Sequence, residues 1–136
     1  MPGPLHGIKV LDITQAVAGP VATMWLAERG AEVFKVEFPG IGDLTRMSGF
    51  AKGGMNSSVL NCNRGKRSIQ IDMKSGAGRD VALALAAEAD VVVQAMRPGK
   101  IDQLGLGYDA VRAANESVVY VSLSGNGQDG PYSDRA

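Results

Sequence analysis

The chain has 136 residues, 45% of them apolar and 21% charged, which is the composition of one soluble globular domain with an adequate core. Its 14 basic and 14 acidic residues balance, which argues against a nucleic acid partner and requires any anion-binding surface to come from local clustering. The single cysteine, Cys62, argues against a disulfide framework, and the single histidine, His6, argues against a zinc site. The chain shows neither a membrane-spanning apolar run nor a secretory leader. We therefore expect a cytoplasmic protein.

The first forty residues predict a βαβ unit. Residues 8–13 form a short β-branched run, residues 21–29 have helical character, and residues 32–37 predict a second strand. Pro20 suits the first helical turn, and Gly30 suits the left-handed position just beyond the helix end. A strand, a helix and a strand in so short a stretch imply parallel strands joined by a right-handed crossover.

The remaining residues predict a flap and then three further strands. Residues 39–58 are rich in glycine and show little periodicity, which predicts a functional flap or mobile loop. A third strand is predicted at residues 66–72, and Ser75 is a plausible N-cap for a helix over residues 77–89. The fourth strand, residues 90–94, has an unbroken apolar centre, as expected of a parallel strand covered on both faces. Short helical segments at 101–104 and 108–114 lead to a fifth strand at 118–123.

Three local features could bind an anion or a ligand. The basic cluster of Arg64, Lys66 and Arg67, with Lys74 nearby, could hold phosphates, or it could be a solvated strand entrance. The turn 18–20 lies at a predicted helix N-terminus, which favours an anion, but without a second glycine at the proper spacing it also fits a simple tight turn. The glycine-rich loop 125–131 could bring backbone close to a ligand or merely end the fifth strand.

Four side chains are candidate catalysts by residue type: Asp12, Cys62, His6 and Asp129. A nucleophile needs a base within hydrogen-bond reach, and His6 precedes the first strand, at the edge opposite the expected binding side. Cys62 is expected to act as a small hydrophobe, and Asp12 to bond the backbone of a turn. We therefore predict no catalytic residue among these four.

Nine segments, taken in order along the whole chain, resemble the N-terminal part of the family III CoA-transferases, which include the formyl-CoA, succinyl-CoA and carnitine CoA-transferases and the related α-methylacyl-CoA racemases. They include Ala18-Gly19-Pro20, Asn63-Arg-Gly-Lys-Arg-Ser-Ile69, Arg97-Pro-Gly99 and Ser124-Gly-x-Gly-Gln-x-Gly-Pro131, and the others lie within residues 5–12, 30–37, 39–46, 72–74 and 104–108. The resemblance implies an α/β fold, a Rossmann-like open parallel sheet with flanking helices, of which residues 1–136 would be the N-terminal part of the large domain.

The resemblance also implies an activity. In these transferases a catalytic aspartate accepts the acyl group of a thioester as a mixed anhydride, and covalent catalysis of this kind divides one difficult transfer into easier steps. CoA and acyl-CoA are substrates, a carboxylate is the acceptor, no cofactor is permanently bound, and the family forms an interlinked homodimer. The aspartate lies beyond the Gly-Gln-x-Gly-Pro segment, so we expect a truncated N-terminal part that binds CoA and is inactive alone.

Site residues follow from the same resemblance. Ile71 and Lys74 match the adenine and phosphate side of the CoA site, and Met96 matches an apolar contact there. The stretch 15–20, with Ala16, Val17 and Ala18, matches the turn beside the thioester. Phe38 and Gln103 replace arginines of relatives, for which Arg64, Lys66, Arg67 and Arg97 could compensate. Val17 stands where formyl-CoA transferases have glutamine, so formyl or oxalyl specificity is not expected. A racemase fragment, a non-catalytic CoA-binding or interaction module, and an enzyme that uses Asp12 or Cys62 stay open as alternatives.

Overall fold

A computed structural model describes residues 2–53 and 55–135 of the chain. The α-helices in this part are α1 (Ala18–Glu28), α2 (Ser57–Asn63), α3 (Gly76–Ala87), α4 (Lys100–Gln103) and α5 (Tyr108–Ala114). The strands are β1 (Lys9–Ile13), β2 (Glu32–Glu37), β3 (Ala51–Lys52), β4 (Met55–Asn56), β5 (Arg67–Gln70), β6 (Val91–Gln94) and β7 (Val119–Ser122). A short 3-10 helix occupies Leu44–Met47.

Five of these strands form one sheet in the order β5-β2-β1-β6-β7, and every pairing within it is parallel. Leu11 in β1 lies opposite Phe34 in β2 on one side and Val92 in β6 on the other. The chain leaves β1 in one direction to build β2 and β5 and then returns to build β6 and β7. The strand order therefore reverses between β1 and β6, which is the point where open α/β sheets bind ligands. The predicted parallel α/β architecture is confirmed.

Both faces of the sheet are covered by apolar side chains because neighbouring strand residues point to opposite faces. Leu11 and Val92 pack with Ala82 and Ala86 of α3 and with Val111 of α5. On the other face the buried residues Val10, Val33 and Val93 pack with Leu26 and Ala27 of α1. Full burial of one such Val or Leu side chain contributes roughly 1.5–3 kcal/mol, so the central strands hold the sheet together.

The helix ends follow the local signals in the sequence. The Ser75 hydroxyl accepts a hydrogen bond from the Gly78 N–H at 3.0 Å, as an N-cap does, and α3 begins at the next residue. Gly30 has φ +99°, the left-handed conformation that ends a helix without steric cost to glycine. Helix α1 begins at Ala18, three residues earlier than predicted, with Pro20 inside its first turn.

The prediction of an irregular flap at residues 39–58 is wrong in one respect, because this stretch contains regular elements. It includes the 3-10 helix, the antiparallel β3–β4 hairpin and the start of α2, which continues to Asn63. The Asn56 side chain caps α2 by accepting a hydrogen bond from the Val59 N–H at 2.9 Å. Elements of two to seven residues are too short to produce a hydrophobic period in an eleven-residue window, so the pattern did not reveal them.

Within the described ranges, none of the helices combines the length and the apolar character that crossing a membrane requires.

Candidate functional site

A groove runs along the carboxyl edge of the sheet at the reversal of strand order, and we call it the edge groove. It consists of a cavity of about 420 Å³ and a neighbouring one of about 590 Å³ that share Gln15, Phe38, Leu44 and Lys74. Segments that follow β1, β2, β5 and β6 all contribute to it. Its further lining residues are Ile13, Ala16, Pro39, Ile41, Gly42, Asp72, Ala95, Met96, Arg97, Lys100 and Leu104.

A separate cavity of about 260 Å³ lies at the amino ends of β1 and β2, against α3. Its charged rim includes Lys9, whose ammonium group lies 3.5 Å from the Glu88 carboxylate. We place the functional site in the edge groove instead, because ligands of open α/β sheets bind outside the carboxyl ends of the strands.

The edge groove combines an apolar wall with unpaired positive charge. Phe38, Leu44 and Met96 contribute apolar surface. Lys74, Arg97 and Lys100 are exposed, and none of the three has a carboxylate partner within 4 Å among the described residues. The Lys100 ammonium donates a hydrogen bond to Gln103 at 3.1 Å, but this amide is neutral, so none of the three charges is neutralised locally. Such cations can bind phosphate, and the arrangement therefore suits an elongated ligand with anionic and apolar parts.

The turn after β1 forms one end of the groove and is conformationally strained. Ala16 has φ +65°, a left-handed conformation that costs a residue with a Cβ about 1–2 kcal/mol. Asp12 holds the start of this turn, because its Oδ1 accepts hydrogen bonds from the Thr14 N–H at 2.9 Å and from the Thr14 hydroxyl at 2.5 Å. Gly19 lies so close to Thr14 that a methyl group there would overlap it.

Asp12 is a fully buried carboxylate with a structural role. Its Oδ2 accepts hydrogen bonds from the Thr23 hydroxyl at 2.6 Å and from the Lys66 ammonium at 2.9 Å. Burial by itself raises the pKa of Asp12, but Lys35, Lys66 and the two threonine hydroxyls outweigh it and hold the pKa below its usual value. The hydrogen bond from the Thr14 N–H confirms the prediction that Asp12 bonds the backbone of a turn.

The predicted basic cluster is divided by the fold. Lys66 has a buried ammonium whose three hydrogens are all used, by Asp12, the Pro20 carbonyl at 2.8 Å and Asn63 at 2.9 Å. Burial lowers the pKa of Lys66, although the nearby Asp12 acts in the opposite direction. The three hydrogen bonds leave Lys66 without a free donor for a ligand. Arg64 is also engaged, because its guanidinium pairs with Glu28 at 2.8 Å.

Arg67 begins β5, so it lies at the amino end of that strand and away from the edge groove. Its guanidinium pairs with Glu32 at 2.9 Å and lies 5.7 Å from the centre of the Phe34 ring. The structure therefore does not bring Arg64, Lys66 and Arg67 into the edge groove, and a phosphate-binding role for them stays a prediction that their present contacts do not favour.

Of the other predicted site residues, some line the edge groove and others do not. Ala16, Lys74, Met96 and Arg97 line the edge groove together. Val17 and Ala18 are exposed beside it at the start of α1, and Ile71 is buried in the core with 5% exposure.

Gln15, which lies within the predicted turn 15–20, also lines the groove. Sequence reasoning missed other lining residues, namely Leu44, Lys100 and Leu104. No local pattern marks them, because α4 and the 3-10 helix are brought to the groove by the fold.

A metal centre would need several hard or soft ligands close together. The described residues contain no group of three or more His, Cys, Asp or Glu side chains placed to hold a metal ion.

Comparison with known proteins gives consistent matches over nearly the whole chain. The sequence pattern of CoA-transferase family III matches residues 5–136. Succinyl-CoA:glutarate CoA-transferase of Homo sapiens is 46% identical over 134 residues, which cover 98% of this chain and 31% of that protein. A probable fatty acyl-CoA transferase of Mycobacterium tuberculosis is 42% identical, with coverage of 97% and 34%.

Solved structures agree with these matches. The crystal structure of a CaiB/BaiF family protein from Brucella suis superposes with a TM-score of 0.94 at 40% identity, covering 100% of this chain and 37% of that one. The chain thus spans about a third of the length of the relatives it matches.

Proposed function

Because this chain belongs to CoA-transferase family III, we propose that its edge groove binds the CoA part of an acyl-CoA thioester in an enzyme that transfers CoA between carboxylic acids. The names of its relatives specify different acyl groups, among them succinyl and fatty acyl. The proposal is therefore an acyl-CoA donor and a carboxylate acceptor, without a commitment to one acyl group.

The unpaired cations of the edge groove carry this proposal. CoA has an adenine ring, three phosphate groups and a long flexible thiol arm. Lys74, Arg97 and Lys100 supply positive charge for the phosphates, while the apolar wall that includes Phe38 and Met96 suits the ring or the arm. Residues that follow three different strands thus supply groups for different parts of one elongated ligand.

The reacting carboxylate in this proposal is neither Asp12 nor Asp43. These aspartates are 0% and 1% exposed, and each is engaged with a lysine inside the protein. A nucleophile has to reach the thioester carbon, which a buried and ion-paired carboxylate cannot do without unfolding its surroundings. We accordingly assign binding of the CoA moiety, and no catalytic residue, to the part of the chain that the structure describes.

We also propose self-association, as the family resemblance implies, and a cytoplasmic location, which the single cysteine favours. Several large apolar side chains of the described part are exposed, including Trp25 at 56%, Met47 at 67% and Phe50 at 95%. Apolar surface of this kind commonly marks a contact between protein chains, which supports a homo-oligomer. Sedimentation of the purified protein tests this point, and a strictly monomeric protein at micromolar concentration would contradict it.

Calorimetric titration with CoA and with dephospho-CoA tests the binding site. We expect Lys74→Ala and Lys100→Ala each to weaken CoA binding by about tenfold, which corresponds to about 1.4 kcal/mol for a lost contact with phosphate. Arg67→Ala is the matched control, because it removes an exposed cation away from the groove and should leave affinity within twofold. The proposal fails if the parent protein does not bind CoA, or if the Arg67 variant loses as much affinity as the Lys74 variant.

A further inference from the structure

Two of the four segments that line the edge groove follow the neighbouring strands β1 and β2. The first, residues 14–17, follows β1 and presents Gln15 and Ala16 to the groove. The second, residues 38–44, follows β2 and presents Phe38, Ile41 and Leu44. We call them the β1 wall and the β2 wall. Their separation sets the width of the groove between them, so a group that joins them beneath the surface affects the shape offered to a ligand.

One buried side chain joins the two walls. The Lys35 ammonium donates a hydrogen bond to the Thr14 carbonyl of the β1 wall at 2.7 Å. It also lies 2.8 Å from the Asp43 carboxylate of the β2 wall, and the next carboxylate, Asp12, is 3.9 Å away. The Lys35 side chain is 2% exposed and does not line the groove.

Each wall depends on the group that Lys35 contacts. In the β2 wall, Asp43 accepts hydrogen bonds from the Thr45 N–H at 2.8 Å and the Thr45 hydroxyl at 2.6 Å, which sets the start of the 3-10 helix that carries Leu44. In the β1 wall, Thr14 immediately precedes Gln15 and the strained Ala16. A movement of the ammonium group would therefore shift both walls.

Stability alone does not explain a lysine at this position. Burial of an ammonium and its carboxylate is costly, and apolar residues of similar volume are often as stable or more so. Lys35 lies on the same face of β2 as the apolar Val33, where an apolar side chain would continue the core. The retained charge pair is better explained by the specific geometry that it imposes.

We propose that Lys35 is a positioning residue of the edge groove, whose single ammonium group holds the β1 wall and the β2 wall at the spacing that the ligand requires. The inference rests on the proposed function for the identity of the ligand, CoA. A groove held in its binding geometry before the ligand arrives has less to order on binding, and this raises affinity.

The test uses a double variant, because Lys35→Met alone would leave Asp43 buried without a partner. Lys35→Met combined with Asp43→Asn removes both charges, while the side-chain oxygen of the introduced asparagine can still accept from Thr45. Val111→Ala is the matched control, since it removes buried volume from α5, whose residues do not line the groove. All proteins are compared at the same interval below their melting temperatures, with circular dichroism to confirm folding.

Two measurements decide the result. We expect the double variant to bind CoA about tenfold more weakly, equivalent to about 1.4 kcal/mol, and the Val111 variant to bind within twofold of the parent. Without ligand, hydrogen exchange should become faster in both walls, residues 14–17 and 38–44, of the double variant and stay unchanged there in the control. Unchanged exchange in either wall, or unchanged CoA affinity of the folded double variant, overturns the role of Lys35. A parent protein that fails to bind CoA refutes the proposed function instead, and the exchange comparison then decides whether Lys35 braces the two walls.

Discussion

Replacing Glu37 by glutamine should destabilise the protein in a way that depends on pH. The Glu37 side chain is 2% exposed and accepts four hydrogen bonds. The donors are Arg46 Nε and Nη2 at 2.6 and 2.7 Å, the Ser68 hydroxyl at 2.7 Å and the Asp43 N–H at 2.8 Å. In glutamine, an NH2 group replaces one of the two carboxylate oxygens and cannot accept a hydrogen bond. Two of these donors therefore lose their partner.

The size of the effect follows from the pKa of this group. Burial alone would raise the pKa of Glu37, but the bonds from Arg46, Ser68 and the Asp43 N–H lower it from 4.5 to about 2. A pKa difference of this size corresponds to a contribution of at most about 3.4 kcal/mol to the free energy of unfolding. Because 40% of the Arg46 side chain is exposed to screening by water, we expect about 2 kcal/mol at pH 7.

The sign of the pH dependence follows from the lowered pKa. Since the folded-state pKa lies below the unfolded value, the stabilisation is fully present above pH 4.5 and is lost as the pH falls towards about 2. Glu37→Gln lacks it at every pH, so the difference in free energy of unfolding between parent and variant should fall to less than half by pH 3.

Urea unfolding of parent and variant at pH 7, 5, 4 and 3 measures this difference. Glu88→Gln is the control, because the exposed Lys9–Glu88 pair should contribute less than about 0.5 kcal/mol. The reasoning is refuted if the Glu37 variant loses no more stability at pH 7 than the control, or if its loss at pH 3 equals that at pH 7.

Substitutions at three further positions test other parts of the structure by urea unfolding. Ala16→Gly should raise the free energy of unfolding by about 0.5 kcal/mol, since relief of the left-handed strain exceeds the entropy that glycine adds to the unfolded chain, and a clear loss would contradict this. Ser75→Ala should cost about 1 kcal/mol through the lost bond to the Gly78 N–H, and Ser75→Asp should restore most of it; equal stability of both variants would exclude a capping role. Asp12→Asn should cost about 3 kcal/mol, because the Lys66 ammonium then stays buried without its carboxylate, and a loss below about 1 kcal/mol would show that this pair is not important for stability.

Local patterns predicted the strands and helices of the sheet well. The β-branched runs at β1, β2, β6 and β7 are strands, and the Ser75 cap lies where the sequence placed it. These signals are local because side-chain periodicity and capping involve residues at most four apart. The short elements between residues 39 and 63 escaped prediction, since they depend on side-chain contacts such as those of Asp43 and Asn56 instead of on a period.

The candidate site was only partly predictable for a related reason. A sequence shows the sign of a charge and not its partner, so the pattern leaves open whether Lys66 and Arg67 bind a phosphate with Lys74 or lie in solvent. Lys66 instead pairs with Asp12, 54 positions earlier in the chain. Nothing in the sequence distinguishes Lys35, because a lysine in a strand normally indicates a solvated face, and only the fold shows that it is buried.

The sequence by itself determined the α/β class, the order along the chain of the five strands of the main sheet, and the family, because these are recorded in contiguous patterns of residues. The tertiary structure decided the strand order β5-β2-β1-β6-β7 across the sheet, which cations stay free at the groove and which are neutralised inside. These outcomes depend on contacts between residues far apart in the chain, and the free energy of a charge is set by the burial and the partner that folding gives it.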